Sequence, residues 1–480
     1  MKIKRVSEYV WEIPREGGMR VPGRIFANEH LMETIRGDIT VRQVANVAHL
    51  PGIVGYSWAM PDAHMGYGFP IGGVAATEFS DQGVVSPGGV GYDINCGVRM
   101  LAVDLMREDI ESRIGKVVEH VFNAVPCGAN PHESGMGHLD AGELRQVLAR
   151  GARFAVERGF GHGQDLEHTE ENGCLEGADP GVVSDRAVER GRRQLGSLGS
   201  GNHFFEIGYV EEVFSRTAAV ACGLEEGNVT VLIHTGSRGF GHQVCTDFLR
   251  TMARHSHEFP FSLPDRQLAA APLKSAIGRD YLAAMAAAAN YAWANRQTLM
   301  ALGQRAIAKA MGCPPEHMGF RLVYDISHNI AKIETHDVDG KRRKVCVHRK
   351  GATRALPPGD ARVPPRYRDV GQPVLIPGDM GTCSYLCVGA DAGGEHPFHS
   401  SCHGAGRRLS RKAAVREGRG RSITDELEQR GVTVVARNAR TLAEEMPEAY
   451  KDVSEVVEVM SGAGLLVKVA KVRPLGVIKG

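Results

Sequence analysis

A chain of 480 residues, 42% hydrophobic and 24% charged with a formal net charge of +1, can bury a sizeable core and carries no global polybasic signature, so any nucleic-acid surface must be a local patch. Its 59 glycines, against 6% aromatic residues, favour tight turns and irregular loops over a helix bundle. Ten cysteines without a CxxC pair do not make a secreted disulfide scaffold, no run approaches about 18 apolar residues, and the start through Trp11–Arg15 has no apolar signal core, so a cytoplasmic protein without membrane spans is expected.

Residues 1–50 combine a strand-like start with an amphipathic stretch at Ile39–Leu50. Met60–Ala75 reads as a glycine-rich loop entering a strand, and its Asp62 and His64 fit a site or a turn cap equally well. Pro87–Arg99 reads as a tight crossing between two short strands, entered by Val84-Val85 and left by Met100–Val103. Within it Asp93 and Cys96 sit three residues apart, fenced by glycines, a carboxylate and a thiol suited to a divalent cation. Residues 107–124 have helical spacing with acids in the first turn. His132 and His138 follow in a loop and form no H-E-x-x-H pair, which makes them surface residues. Helices are predicted over 140–159 and 182–195, joined by a polar, acidic loop containing Cys174.

Leu195–Gly201 is a Gly/Ser loop feeding a strand that opens with Asn202-His203 and carries Glu206; such loops expose N–H groups to anions. Val229–Ile233 is a buried-strand run ending in His234, followed by a flexible turn with Arg238. Residues 280–311 are Ala-rich and helical, with Tyr281, Met285, Tyr291, Trp293 and Leu299 as core. A strand over Phe320–Ser327 leads to His328-Asn329, and Lys344–Arg354 is a strand running into a basic turn with Lys350. Pro373–Ile376 is a strand before the polar loop Pro377–Ser384. Ser400–Gly406 sets His403 between small residues ahead of Arg407–Arg421, whose arginines would ordinarily form a solvated helix face. Val453–Val477 alternates apolar and polar residues. The expected fold class is α+β: one large mixed α/β domain over residues 1–480, with helical insertions at about 107–195 and 245–315.

Three histidines stand where an apolar strand meets a small polar turn: His203 opens a strand, while His234 and His328 end theirs. With Asp93 and Cys96 they can serve two ions if the thiolate bridges, one ion on Asp93, Cys96 and His203, the other on Cys96, His234 and His328. Three protein ligands per ion leave positions for substrate. Softness alone suggests zinc, and two close divalent ions suit phosphoryl transfer. Arg238, Lys350, Arg407 and Lys479 offer donors for phosphate or RNA. His403 differs from the ligand histidines: backed by little side-chain bulk, it could be a nucleophile toward phosphorus, or a further ligand.

G-G-V-G-Y-D-I-N-C-G-V-R, G-S-G-N-H-F-F-E, H-T-G-S-R-G, S-H-N, R-K-G-A-T-R, C-H-G-A-G-R and the terminal Lys-Gly, in that order and spanning almost the whole chain, resemble the RtcB-type RNA-splicing ligases. The resemblance implies the fold of that family and a GTP-dependent enzyme of tRNA splicing and RNA repair. Such an enzyme joins RNA ending in a 2′,3′-cyclic phosphate or 3′-phosphate to RNA with a 5′-hydroxyl. It implies two Mn²⁺ ions rather than zinc, on the ligands just given, and His403 as the guanylylated histidine. Guanylate contacts would fall on Asn202, His203, Phe204, Phe205 and Glu206, on His328 and Asn329, on Pro377, Gly378, Asp379, Met380 and Ser384, on His403, Gly404, Ala405 and Gly406, and on Lys479. Position 379 departs from the family, where a small hydroxyl residue is more usual; an Asp would repel phosphates or hydrogen-bond a base or sugar. The family often works with the activator archease. Two rival readings use the same residues: a two-metal phosphoesterase acting on cyclic phosphate ends, which needs no covalent nucleotide, and a non-catalytic RNA-binding module built on Lys341–Lys344 and Arg407–Arg421.

Overall fold

The computed structural model of the chain describes residues 2–80, 82–128, 135–393 and 396–480, so His132 lies outside the described residues. The N-terminal strands are β1 (Lys4–Arg5), β2 (Val10–Ile13), β3 (Gly23–Phe26), β4 (Ile53–His64) and β5 (Ile71–Glu78). β6 (Val84–Val85) and β7 (Gly97–Met106) flank the glycine-rich turn; β8 (Phe204–Val213), β9 (Asn228–Thr235) and β10 (Ala271–Pro272) come next. The remaining strands are β11 (Arg321–Ser327), β12 (Asn329–Val338), β13 (Lys341–Lys350), β14 (Ala352–Arg354), β15 (Pro373–Ile376), β16 (Ser384–Gly389), β17 (Ser400–Cys402), β18 (Thr433–Ala436) and β19 (Leu466–Lys479).

One sheet runs β1-β2-β3-β4-β5-β13-β12, and a second runs β11-β7-β9-β8-β19-β16-β15, with β18 pairing parallel to β19. Helices and mixed sheets together make the fold α+β, as the sequence indicates. β11 belongs to the second sheet and β12 to the first, and only His328 separates them, so the chain crosses between sheets at that residue. The glycine-rich turn is stitched to this crossing: His328 N–H donates to Cys96 O (2.9 Å) and Asn95 N–H to Asn329 O (2.7 Å).

β9 shows why the second sheet is central. Its β-branched run is buried along its whole length, as a strand covered on both faces must be. The helix Ala276–Met311 starts where Ser275 Oγ accepts from Gly278 N–H and stops at left-handed Gly312 (φ 73°). It is buried nearly all round through its middle, Tyr281, Met285, Tyr291, Trp293 and Leu299 together with the polar run Asn295–Thr298, which marks a core helix.

Several sequence expectations change in the structure. The helix expected over 140–159 breaks at Gly151 (φ 58°), where a Cβ would strike Gly173 O, and becomes Ala141–Arg150 and Ala152–Glu157. The flexible turn after His234 is the start of the helix Arg238–Arg254, so the second helical insertion begins ahead of residue 245. Asp62 and His64 are in the last three residues of β4 and not part of a loop; the strand continues past Met60 through an irregularity in its pairing with β5. Residues 453–477 divide into a helix, Val453–Gly462, and β19. Val453, Val456, Val457 and Met460 follow helical spacing, and Asp452 caps the helix by accepting from Ser454 N–H. Of the basic stretch 407–421 only Arg411–Glu417 is helical, and Arg407 and Arg421 are held by acids instead of forming one solvated face. No helix among the described residues is long and apolar enough to cross a membrane.

Candidate metal centre and adjoining cavity

The turn between β6 and β7 aims Asp93 and Cys96 at the ends of β8, β9 and β11. Asn95 holds a left-handed backbone (φ 51°), and Gly91 is also at positive φ (99°). The cost of the Asn95 conformation is offset by enclosure: its Nδ2 donates to Ala289 O (2.7 Å), and its Oδ1 accepts from Arg296 (3.0 Å). Cys96 Sγ then lies 3.3 Å from His234 Nε2 and 3.5 Å from His203 Nε2. His203 Nε2 is 2.9 Å from Asp93 Oδ2, and His234 Nε2 is 3.3 Å from His328 Nε2. Two groups of donor atoms, each within 4.8 Å of one another, could hold a metal ion: Asp93, Cys96 and His203, and Cys96, His234 and His328. These are the two sets expected from the sequence, with Cys96 common to both.

The donor chemistry fits cations. His203 Nδ1 donates to Leu198 O (3.0 Å), which fixes the ring and turns Nε2 toward Asp93 and Cys96. Burial holds the His234 and His328 rings well below the usual imidazole range, so both are neutral. Their Nδ1 atoms have no hydrogen-bond partner among the described residues, while their Nε2 atoms face each other and the sulfur. Burial raises the Asp93 carboxyl, but the neighbouring His203 and Arg238 outweigh it and hold it down to about 2. Burial and the Asp93 carboxylate push the Cys96 thiol well up, so a thiolate there needs a cation beside it.

One side chain of the core helix ties these segments together. Arg296 donates to Asp325 Oδ2 and Oδ1 (2.8 Å each), to Asn95 O (2.8 Å) and Oδ1 (3.0 Å), and to Thr235 O (2.9 Å). Every guanidinium N–H is thereby used, on three segments that carry Cys96, His234 and His328. Arg99 adds a second bond to Asp325 (2.7 Å), and Glu170 grips Ser327 N–H (2.8 Å) and Oγ (2.6 Å), next to His328.

A cavity of about 370 Å³ opens beside the donor cluster, within the range of small-ligand sites. Asp93, Cys96, Asn202, Phe204, Glu206, His234, His328, Asn329, Lys350, Pro377–Met380, His403–Arg407 and Lys479 line it. Four of the expected residues do not. His203 joins the donor cluster only. Phe205 points to the opposite side of β8, as strand alternation requires, and packs on Gly303. Ser384 lies under the loop, accepting from Gly378 N–H (3.4 Å). Arg238 is engaged by Ser197 Oγ (3.2 Å) and Gly128 O (3.0 Å). Lys350 and Arg407 line the cavity but spend their donors on the protein, Lys350 on Tyr67 O (2.5 Å) and Phe69 O (3.1 Å), Arg407 on Glu444 O (2.7 Å) and Glu445 (3.2 Å). Asp379 is a turn former: its carboxylate accepts from Gly381 N–H (2.8 Å) and Thr382 Oγ1 (2.7 Å), and burial pushes it up.

His403 follows β17, with Nδ1 2.6 Å from Asp62 Oδ2 and its own N–H 3.1 Å from the same oxygen. Asp62 is fully buried, and Lys451 Nζ donates to the carbonyls on either side of it, Pro61 O (3.1 Å) and Ala63 O (2.6 Å). The approach needs glycine at 406, because a Cβ there would overlap the Asp62 backbone. With Nδ1–H given to the carboxylate, Nε2 is the nitrogen with a free lone pair. The ring stands 4.8 Å from that of His328, centroid to centroid. On the other wall, Glu206 Oε1 has no partner among the described residues, and burial pushes its carboxyl up to about 8 against the pull of Lys479. Lys479 donates to Gly201 O (3.2 Å) and lies 5.5 Å from the Phe204 ring. The sequence leaves Asp62 undecided and does not single out Arg296, inside the core helix, or Glu445 and Tyr450, in the connection between the helices Ala439–Glu444 and Val453–Gly462; none of the three stands beside a glycine run.

A family model described as "tRNA-splicing ligase RtcB" matches residues 43–480 of this chain. The chain is 53% identical to the tRNA-splicing ligase RtcB of Archaeoglobus fulgidus over 480 residues, which is 100% of this chain and 99% of that one. It is 52% identical to the tRNA-splicing ligase RtcB of Thermococcus kodakarensis over 479 residues, again 100% and 99%. It is 53% identical to the RNA-splicing ligase RtcB of Mycobacterium tuberculosis over 440 residues, 91% of this chain and 100% of the relative.

Proposed function

The chain belongs to the RtcB family and is an RNA ligase, and from that premise we propose that it joins RNA ending in a 2′,3′-cyclic phosphate or 3′-phosphate to RNA with a 5′-hydroxyl, in a GTP- and Mn²⁺-dependent reaction carried by His403. The observation that supports this most is the pairing of His403 with buried Asp62 beside the donor cluster. Splicing of tRNA halves, or repair of broken RNA, in the cytoplasm would use this chemistry. A phosphoesterase would need the metal ligands but not an imidazole held in one tautomer at the cavity wall.

Asp93, Cys96 and His203 would hold one ion and Cys96, His234 and His328 the other. When bound, such ions supply positive charge for phosphate oxygens. The chain's own groups do the rest. His403 Nε2 forms a bond to the α-phosphorus of GTP, and the bond to pyrophosphate breaks. Asp62 accepts the hydrogen bond of Nδ1–H, which holds that proton on the ring, and stabilises the positive charge the ring acquires. Water adds to the phosphorus of a cyclic RNA end and the bond to O2′ breaks, leaving a 2′-hydroxyl and a 3′-phosphate, one of whose oxygens then takes the guanylyl group as the N–P bond breaks. The 5′-hydroxyl attacks the RNA phosphorus, and GMP leaves. RNA labelled in its terminal 2′,3′-cyclic phosphate tests this sequence of bonds: the label should end in the junction of the joined product. Label left as a terminal phosphomonoester on unjoined RNA, with none in a junction, would support hydrolysis in its place.

Glu206 is suited to the guanine edge, where N1–H and the amino group are donors. Burial keeps the carboxyl protonated at neutral pH, since it is pushed up to about 8. Accepting two N–H bonds requires the carboxylate, so binding of GMP at pH 7 should release about one proton. Calorimetry in two buffers of different ionisation enthalpy measures that number. Glu206→Gln should remove the proton release and weaken GMP by about 10- to 100-fold, the worth of a hydrogen bond to a charged buried group. An unchanged proton count in the variant would assign the guanine edge elsewhere.

A further inference from the structure

Toward its other end, β12 builds a second histidine cluster. His336 and Glu334 are both buried there, with His336 Nε2 2.7 Å from Glu334 Oε2. Arg349 of β13 binds both Glu334 oxygens (2.6 and 3.0 Å) and also donates to Phe398 O (2.8 Å). That carbonyl belongs to a turn in which two successive non-glycine residues, Phe398 (φ 54°) and His399 (φ 47°), are left-handed. Such a pair is costly for bulky residues and persists only when its surroundings hold it. Here the turn brings the His399 ring to 4.1 Å from that of His396 and 5.4 Å from that of His336, with His336 and His396 6.3 Å apart. The His336–His399 spacing matches those of the first centre, 5.6 Å for His203 and His234 and 5.1 Å for His234 and His328, while His396 and His399 are stacked at 22°, so an ion would have to turn one of these two rings. The cluster borders a separate cavity of about 1000 Å³. His336 is seven steps along β12 from Asn329, about 23 Å at ~3.3 Å each.

We propose that His336, His396 and His399 form a second metal site, taking a borderline-soft ion of the zinc class. Imidazole is the ligand such ions prefer over the carboxylates and carbonyls suited to magnesium or calcium. Glu334 fixes His336 with its Nε2 proton directed at the carboxylate, which leaves Nδ1 as the ligand atom, the usual outer support of a metal-bound histidine. Burial holds His396 below the usual range and His399 down to about 3, so both rings are in the neutral form a ligand needs. The donor atoms are spread more widely than the 4.8 Å of the first centre, and ion binding would draw the half-buried His396 and His399 toward His336. Of the cations around Glu334, Arg349 is spent on its carboxylate and on Phe398 O, and Arg362, 4.0 Å from Glu334, is paired with Asp360 (2.6 Å). Three protein ligands leave a position open to the cavity, so the ion would be accessible to small ligands.

Metal-stripped wild-type protein and the His336→Ala/His399→Ala double variant, each loaded with zinc and freed of excess by gel filtration, provide the test. The double variant should hold one zinc ion fewer per chain. Loaded with cobalt, it should keep the near-ultraviolet thiolate band of the Cys96 centre and lose visible absorption from the all-imidazole site. Should the double variant fail to fold by circular dichroism, the half-buried His396→Ala is compared with wild type in its place. Equal zinc content in wild type and folded variant, or a loss of the thiolate band with it, overturns the second site.

Discussion

His403→Ala is expected to abolish covalent labelling by α-labelled GTP and to lower RNA joining by at least about 10⁴-fold, the scale seen when an activated nucleophile is deleted. Wild-type protein incubated with labelled GTP and Mn²⁺ and then denatured should keep the label, and acid should release it, since an N–P bond to imidazole is acid-labile. The variant should keep none. The argument rests on the ring's constraints: Nδ1 is tied to Asp62, so one nitrogen alone is presented, and glycine at 351 and 406 clears the approach. Asp62→Asn separates the two roles of the carboxylate. An amide can still meet the ring but carries no charge to balance the guanylylated imidazole, so labelling should persist at a rate lower by about 10²- to 10³-fold. Label retained by His403→Ala would remove that residue as the acceptor. An unlabelled wild type with both ions bound would turn the reading toward the phosphoesterase.

Much of this arrangement was legible in the chain because the chemistry sits at strand ends. The apolar run of β9 marks where His234 must emerge, and the glycines around Asp93 and Cys96 mark a backbone that has to turn tightly. Pairing across the sheets was not legible. Nothing local in Asp62 distinguishes a buried partner of His403, 341 residues away, from an ordinary Asx cap. Arg296 sits in a helix whose composition says only that it packs, yet its five donated bonds hold the segments of three candidate ligands. The resemblance to the family named Phe205 and Ser384 as contacts, but strand alternation turns the first away and the second supports the loop from behind. The helix at 453–462 hid because its valines also fit a strand pattern, and only the Asp452 cap breaks the tie.

Cys96→Ala is expected to cost the protein both ions together. Each donor group has three protein atoms and the sulfur belongs to both, so its removal leaves Asp93 with His203 on one side and His234 with His328 on the other. Two ligands hold a first-row ion weakly against water, and manganese, low in the affinity series, suffers most. Elemental analysis after gel filtration should find Mn²⁺ in wild type and essentially none in the variant, with RNA joining lower by about 10³-fold or more. The fold should survive, because a buried Cys-to-Ala change removes a single atom's packing, about 1 kcal/mol. Ion binding also contributes to stability, by ~2.7 kcal/mol when the free ion is at about a hundred times its dissociation constant. Added Mn²⁺ should therefore raise the melting temperature of wild type and leave that of Cys96→Ala unmoved. A variant that keeps two ions would show that the sulfur holds neither; one that keeps a single ion would assign the thiolate to one position and break the bridge between them.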